Sequence, residues 1–299
     1  MKANLLLLLI SAIWGFAFVF QRMGMDNIGP FFFNATRFAL GGFCVWSFSQ
    51  FQKKLVQTDN QQSEKYTAKL LWIGGIVGGL ALFSGSSFQQ TGMVYTTPGK
   101  AGFITSLYVA LVPFLGIFLG QKLTAWQIIG AALAMVGMFL LTIKSGADFT
   151  LQNFYPQWGD LLVLIGTLFW AIHVQIVDYY SKKIQPLVFA QFQSFVCSGL
   201  SLIAALAFEK NTFFGFCSAL IPVMYCGIVS VGIAYTLQVV AQEKANPTHA
   251  AIIMGLEGAF AAVGGAIFLS EKFTSIAIAG CILMLIGTIV SQIKFKHET

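Results

Sequence analysis

Residues 117–137, IFLGQKLTAWQIIGAALAMVG, return as residues 267–287, IFLSEKFTSIAIAGCILMLIG, at an offset of 150. Nine of the 21 aligned positions are identical: Ile117/Ile267, Phe118/Phe268, Leu119/Leu269, Lys122/Lys272, Thr124/Thr274, Ile128/Ile278, Gly130/Gly280, Leu133/Leu283 and Gly137/Gly287. Composition this biased would give roughly two matches by chance, so the chain reads as an internal duplication. Trp14 and Trp170 are a looser echo of the same pairing. The two copies are expected over 1–145 and 156–299.

What surrounds the repeated run is equally apolar. Of 299 residues, 57% are hydrophobic and 9% charged, and the mean hydropathy is +0.78. Soluble domains carry about 25% charged residues because their surfaces must be wetted. Seventeen Lys and Arg with eleven Asp and Glu are too few for a water-facing surface of this length. A soluble enzyme, a disordered chain and a nucleic-acid-binding domain are therefore excluded, despite the net charge of +6. An all-α membrane protein is the reading that remains. Crossing a bilayer takes roughly 20 apolar residues per helix. Ten such runs lie near 4–22, 30–50, 70–91, 98–119, 123–143, 159–179, 186–208, 216–240, 247–269 and 273–293. They are continuous and lack the alternation of barrel strands. The start resembles a signal peptide, but its apolar run continues through Trp14 to Phe20 without a small-x-small cleavage site, so it reads as a retained span. The five cysteines (Cys44, Cys197, Cys217, Cys226 and Cys281) fall in or beside spans without metal-ligand spacing, as buried thiols do.

Lysine and arginine sort the loops by side. With the N-terminus inside, the cytoplasmic segments hold Lys2, Lys53, Lys54, Lys65, Lys69, Lys122, Lys182, Lys183, Lys244, Lys294 and Lys296. The opposite side holds only Arg22, Lys100, Lys144, Lys210 and Lys272. Both termini are thus expected in the cytoplasm, with the polar segment 52–69 as a solvated connector. Ten transmembrane helices as two inverted five-helix repeats follow, because an odd number per copy turns the second copy over. Inverted repeats are a transporter device: two similar halves open one central site alternately to each face. Gly130/Gly137 and Gly280/Gly287 keep one helix face small, as closely packed membrane helices require.

Charge at membrane depth is costly, so each buried ionisable group is a candidate for function. Glu257 is the one acidic residue well inside a span, about ten residues or roughly 14 Å from the cytoplasmic end. His173 lies about six residues, roughly 9 Å, from the same face, on a span that runs the other way. Both fit one midplane cavity as binding or proton-coupling groups, or Glu257 simply bonds a neighbouring helix. Arg37, inside the second span, suits a substrate carboxylate or phosphate, or snorkels outward. Trp14 and Tyr108 fall near mid-depth as aromatic walls, and Gln90, Gln175 and Tyr235 add hydrogen-bonding groups. Gln89, Thr105 and Gln191 belong to the same polar background. No catalytic nucleophile with its base, no acid pair, no metal-ligand motif and no phosphate-cradling loop is present, so neither an enzyme nor an ATP-driven pump is expected, and no cofactor or metal.

The segments 14–19, WGFAFV, 34–38, NATRF, and above all 95–113, YTTPGKAGFITSLYVALVP, resemble EamA-type members of the drug/metabolite transporter superfamily. The second copy carries the matching Leu256-Glu257 and 268–272, FLSEK. The resemblance covers essentially the whole chain. It implies two inverted EamA repeats around a central cavity with alternating access, moving amino acids, other small metabolites or drugs, often outward; relatives carry nucleotide sugars. Two positions depart from the pattern. Gly258 stands after Glu257 where the family often has Pro, and Gln121 replaces an acidic residue whose repeat partner Glu271 is kept. The expectation is a secondary transporter, in the direction of export, of small metabolites such as amino acids in the inner membrane. A passive channel, or a transporter of nucleotide-linked or drug-like compounds, is the alternative. The expected partners are a small-molecule substrate and the lipid bilayer, with proton coupling open, and neither nucleic acid nor an obligatory protein partner.

Overall fold

The computed structural model describes residues 2–55, 68–121, 123–142, 158–270 and 275–291. The polar connector's centre, the junction between the copies, Lys122, Glu271 and Lys272 lie outside the described residues. Fourteen α-helices and one π-helical segment follow one another, with no strand among the described residues. They are α1 (Lys2–Gly24), α2 (Pro30–Leu55), α3 (Ala68–Met93), α4 (Pro98–Ser106), α5 (Tyr108–Phe118), α6 (Ala125–Thr142), α7 (Trp158–Ser181) and α8 (Pro186–Phe208). Then come α9 (Phe213–Ser218), α10 (Leu220–Met224), the π segment Tyr225–Tyr235, α11 (Thr236–Gln242), α12 (Pro247–Met254), α13 (Glu257–Leu269) and α14 (Ser275–Val290). In hydrocarbon every backbone polar group must be satisfied internally, which leaves helix as the local answer for such runs. Prolines open α2, α4, α8 and α12, where a missing N–H costs nothing and the fixed φ favours the first turn.

Among the described residues seven stretches are long and apolar enough to cross a bilayer, and Ala125–Gly137 and Ile278–Val290 are shorter apolar helices. Ten were expected. Of the other three, α6 ends at Thr142 and α14 begins at Ser275, where the described residues stop and resume, and α2 is diluted by Asn34, Arg37 and its Gln- and Lys-bearing end. Continuity also differs. The runs read as 98–119 and 247–269 are each interrupted, at Leu107 and at Gly255–Leu256, and the run at 216–240 is broken into α9, α10, the π segment and α11. The surface is strongly apolar, with Leu206, Phe208, Phe213 and Phe214 each about four-fifths exposed. Buried positions, by contrast, include Asn34, Gln193 and Gln242. Together these describe a multi-pass membrane protein whose polar groups face inward.

The helices pack mainly as α6 on α14, α2 on α8, α3 on α7 and α8, α1 on α13, α2 on the π segment, and α4 on α13. The first of these depends on the repeated glycines. A Cβ on Gly130 would stand 2.6 Å from the Gly287 carbonyl oxygen, and one on Gly287 would stand 2.6 Å from that of Gly130. Likewise a Cβ on Gly137 would lie 2.6 Å from the Gly280 carbonyl oxygen. Backbones this close leave no room for a side chain. The positive φ angles also come as a pair: Gly120 at 77° and Ser270 at 56°, 150 residues apart, each just beyond the helix that ends its run.

Candidate functional site

The two interrupted helices cross near the centre of the bundle, and each resumes on a residue that faces a shared cavity. Tyr108 is the first residue of α5 and Glu257 the first of α13. Both side chains are buried and interact with each other at the cavity, and neither Tyr108 Oη nor Glu257 Oε1 makes a well-formed hydrogen bond. Poorly paired buried polar atoms are costly, so two facing one cavity mark a place built for something other than packing. The first turn of a helix carries partial positive charge, which favours the Glu257 carboxylate there. The crossing itself is held by the Gly258 N–H donating to Ser106 Oγ at 3.1 Å. Here the departure from the family's Pro acquires a reason, because Pro has no N–H to give.

The cavity measures about 40 Å³ and is lined from both copies, by Trp14, Arg37, Tyr108, His173, Tyr235 and Glu257 among others. Those six were singled out in the sequence, and the fold brings them together. Tyr235 is the aromatic hub, with its ring centroid 4.7 Å from that of Trp14, 5.9 Å from Phe38, 6.2 Å from Trp170 and 6.1 Å from His173. His173 Nε2 lies 3.0 Å from Gln193 Oε1. Arg37 donates through Nε to Asn34 Oδ1 at 2.9 Å, and its guanidinium lies over the rings of Phe38 and Phe33. It points inward rather than snorkelling to a membrane face. Trp14 Nε1 reaches the Ser230 carbonyl at 3.4 Å, on the π segment, where i→i+5 winding alters the direction of backbone groups.

Gln90 and Gln175 do not line this cavity. Gln90 Nε2 donates to the Gln21 carbonyl at 3.2 Å, and Gln175 Nε2 to the Val112 carbonyl at 2.8 Å. Successive residues on a helix point about 100° apart, so in α3 it is Gln89 that faces inward. Its Oε1 accepts from Trp170 Nε1 at 2.7 Å and from Thr105 Oγ1 at 3.4 Å, while its Nε2 donates to Gln21 Oε1 at 3.0 Å. Gln238, whose Oε1 has no partner, also lines the cavity. It sits three residues after Tyr235, a spacing that could have identified it. Among the described residues no group of His, Cys, Asp and Glu is arranged to hold a metal ion.

A second cavity, of about 320 Å³, lies at one end of the bundle between Gln121, Asp178, Lys182, Glu243 and Lys244. Lys182 Nζ pairs with Asp178 at 2.6 Å, and Gln121 Nε2 donates to Gln175 Oε1 at 2.7 Å. Gln175 thus links Gln121 at this vestibule to the backbone of α5 at Val112.

The EamA-like transporter family model matches the chain over residues 1–143 and 157–292. A protein named as an uncharacterized transporter from Archaeoglobus fulgidus is 30% identical over 98% of this chain and 86% of its own length. The uncharacterized transporter YoaV of Bacillus subtilis is 20% identical over 99% of each chain. A chloroplastic WAT1-related protein of Arabidopsis thaliana is 24% identical over 92% of this chain and 65% of its own. A solved crystal structure shares the fold with a TM-score of 0.74 at 19% identity, covering 97% of this chain and 96% of the other. Relatives named as transporters point to a transporter rather than an enzyme. A multi-pass membrane chain matched by the family model in both halves, it belongs to the EamA-like transporter family.

Proposed function

We propose that this chain is a secondary transporter that exports small metabolites such as amino acids across the inner membrane by alternating access. Its ten membrane helices form two inverted five-helix repeats over 1–145 and 156–299, with both termini in the cytoplasm. The single observation that carries the substrate reading is one buried cavity holding Glu257, Arg37 and an aromatic wall of Trp14, Tyr108 and Tyr235. A carboxylate suits an ammonium group, a guanidinium suits a carboxylate through paired N–H donors, and the rings cover apolar surface. The inverted arrangement is supported by contacts that exchange partners between copies. α1 packs on α12 and α13 as α7 packs on α4 and α5, while α6 packs on α14 and α2 on α8. The orientation rests on the excess of lysine in the segments assigned to the cytoplasm.

A cavity of about 40 Å³ holds a water or two, whereas metabolite sites run to several hundred Å³. The arrangement described is contracted, and transport requires it to widen toward one face at a time. Glu257 and His173 are the groups proposed for proton coupling. The test is thermal unfolding of purified protein against a library of small metabolites, since a ligand that binds the folded state raises the midpoint. Amino acids should raise it, and Glu257→Gln should abolish that rise while leaving the unliganded midpoint close to wild type. A library in which no small zwitterion shifts the midpoint overturns the substrate reading.

A further inference from the structure

At one face of the bundle Lys100 Nζ donates to Asp160 Oδ2, and Thr96 Oγ1 donates to Asp160 Oδ1 at 2.7 Å. This ties the start of α4, in the first copy, to the start of α7, in the second. At the start of α12 His249 Nε2 lies 3.1 Å from Asn4 Oδ1, which ties α12, in the second copy, to the start of α1, in the first. The two contacts occupy corresponding positions. Lys100 and His249 are each the third residue of a helix opened by proline, Pro98 and Pro247. In each case the backbone N–H of that third residue donates to the capping side chain, Thr97 or Asn246, at 3.4 Å. Asp160 and Asn4 in turn each stand ten residues before a tryptophan of the central cavity, Trp170 and Trp14.

We infer that Lys100–Asp160 and His249–Asn4 are paired latches, one for each membrane face, that act on the same cavity from opposite ends. The inference rests on the alternating-access reading and adds to it the residues that hold each gate. Each latch bridges the first helix of one copy to the interrupted helix of the other. That interrupted helix carries Tyr108 or Glu257 at its break, so parting a latch frees an element that lines the cavity. Both latches are formed together in this structure, whose central cavity is about 40 Å³.

Hydrogen–deuterium exchange of the full chain in lipid nanodiscs tests this without any substrate. Lys100→Gln should raise exchange severalfold at the starts of α4 and α7 and lower it at the starts of α1 and α12, as the population moves toward outward opening. Lys100→Arg should behave as wild type. Conversely, Asn4→Asp with His249→Lys builds a second ion pair, and should protect the cytoplasmic end while loosening the outer one. This variant also serves if Lys100→Gln fails to fold. Changes confined to the mutated end, or no change at either end, overturn the inference. A coupled response in a protein that no metabolite stabilises would leave the latches standing and remove only the substrate reading.

Discussion

Gln89 shows how one side chain can organise a membrane-buried site. It accepts from Trp170 and Thr105 and donates to Gln21, so it orients a wall residue and joins α1, α3, α4 and α7. Gln89→Leu would leave the Trp170 N–H and the Gln21 amide unpaired in the interior, at about 1–3 kcal/mol for each group. A clear fall in the thermal midpoint, read by light scattering on heating in detergent, is the expected outcome; an unchanged midpoint would show that the network is dispensable. Ser106→Ala removes one of two acceptors of the Gly258 N–H, leaving the Gly255 carbonyl at 3.3 Å, and should cost about 0.5–1.5 kcal/mol. Gly258→Pro should cost at least as much, because it deletes the donor and also restricts the residue before it. The same thermal measurement separates the two. If Gly258→Pro is neutral, the hydrogen bond at the crossing is not what sets the residue there.

Among the elements, α6 and α14 depend most directly on the duplicated sequence. Gly130→Leu would force a side chain into a backbone contact that leaves no space, and overpacking of this kind costs typically about 1–3 kcal/mol. Because Gly130 and Gly287 face each other, Gly287→Leu should cost a similar amount, and the double variant less than the sum of both, since one separation of the helices relieves both clashes. Additive costs would contradict the shared contact. Much at this scale was legible in the sequence. Apolar length located the helices, and the repeated glycines marked the packed faces. The interruption at Leu107 was not, because no Pro, Gly or charge stands there and the apolar run continues across it, while that at Gly255–Leu256 is flagged only by Gly255 and the adjoining Glu257. The π segment was equally hidden, since Tyr225–Tyr235 has the composition of an ordinary span; it packs on α2 and α1.

For the whole molecule, the site was legible where chemistry is scarce and hidden where it is common. Glu257, Arg37 and His173 stood out because ionisable groups are rare at membrane depth, and the fold collects them with Trp14, Tyr108 and Tyr235. The glutamines are numerous, so choosing among them required the helix phase: Gln89 and Gln238 face the cavity, while Gln90 and Gln175 bond to backbone carbonyls elsewhere. The molecule that results joins two copies around a cavity too small for a metabolite, with a polar vestibule at one end. Its central claim is that this cavity carries amino acids across the membrane by alternating access. Counterflow in proteoliposomes tests that claim most directly: vesicles loaded with unlabelled amino acids are diluted into a labelled one, for the wild type and for Glu257→Gln and Arg37→Gln. The account predicts transient, saturable accumulation of label above equilibrium, reduced at least about tenfold in both variants, the factor that about 1.4 kcal/mol of lost binding produces. Label that only equilibrates, at a rate linear in concentration and equal in all three proteins, would contradict it.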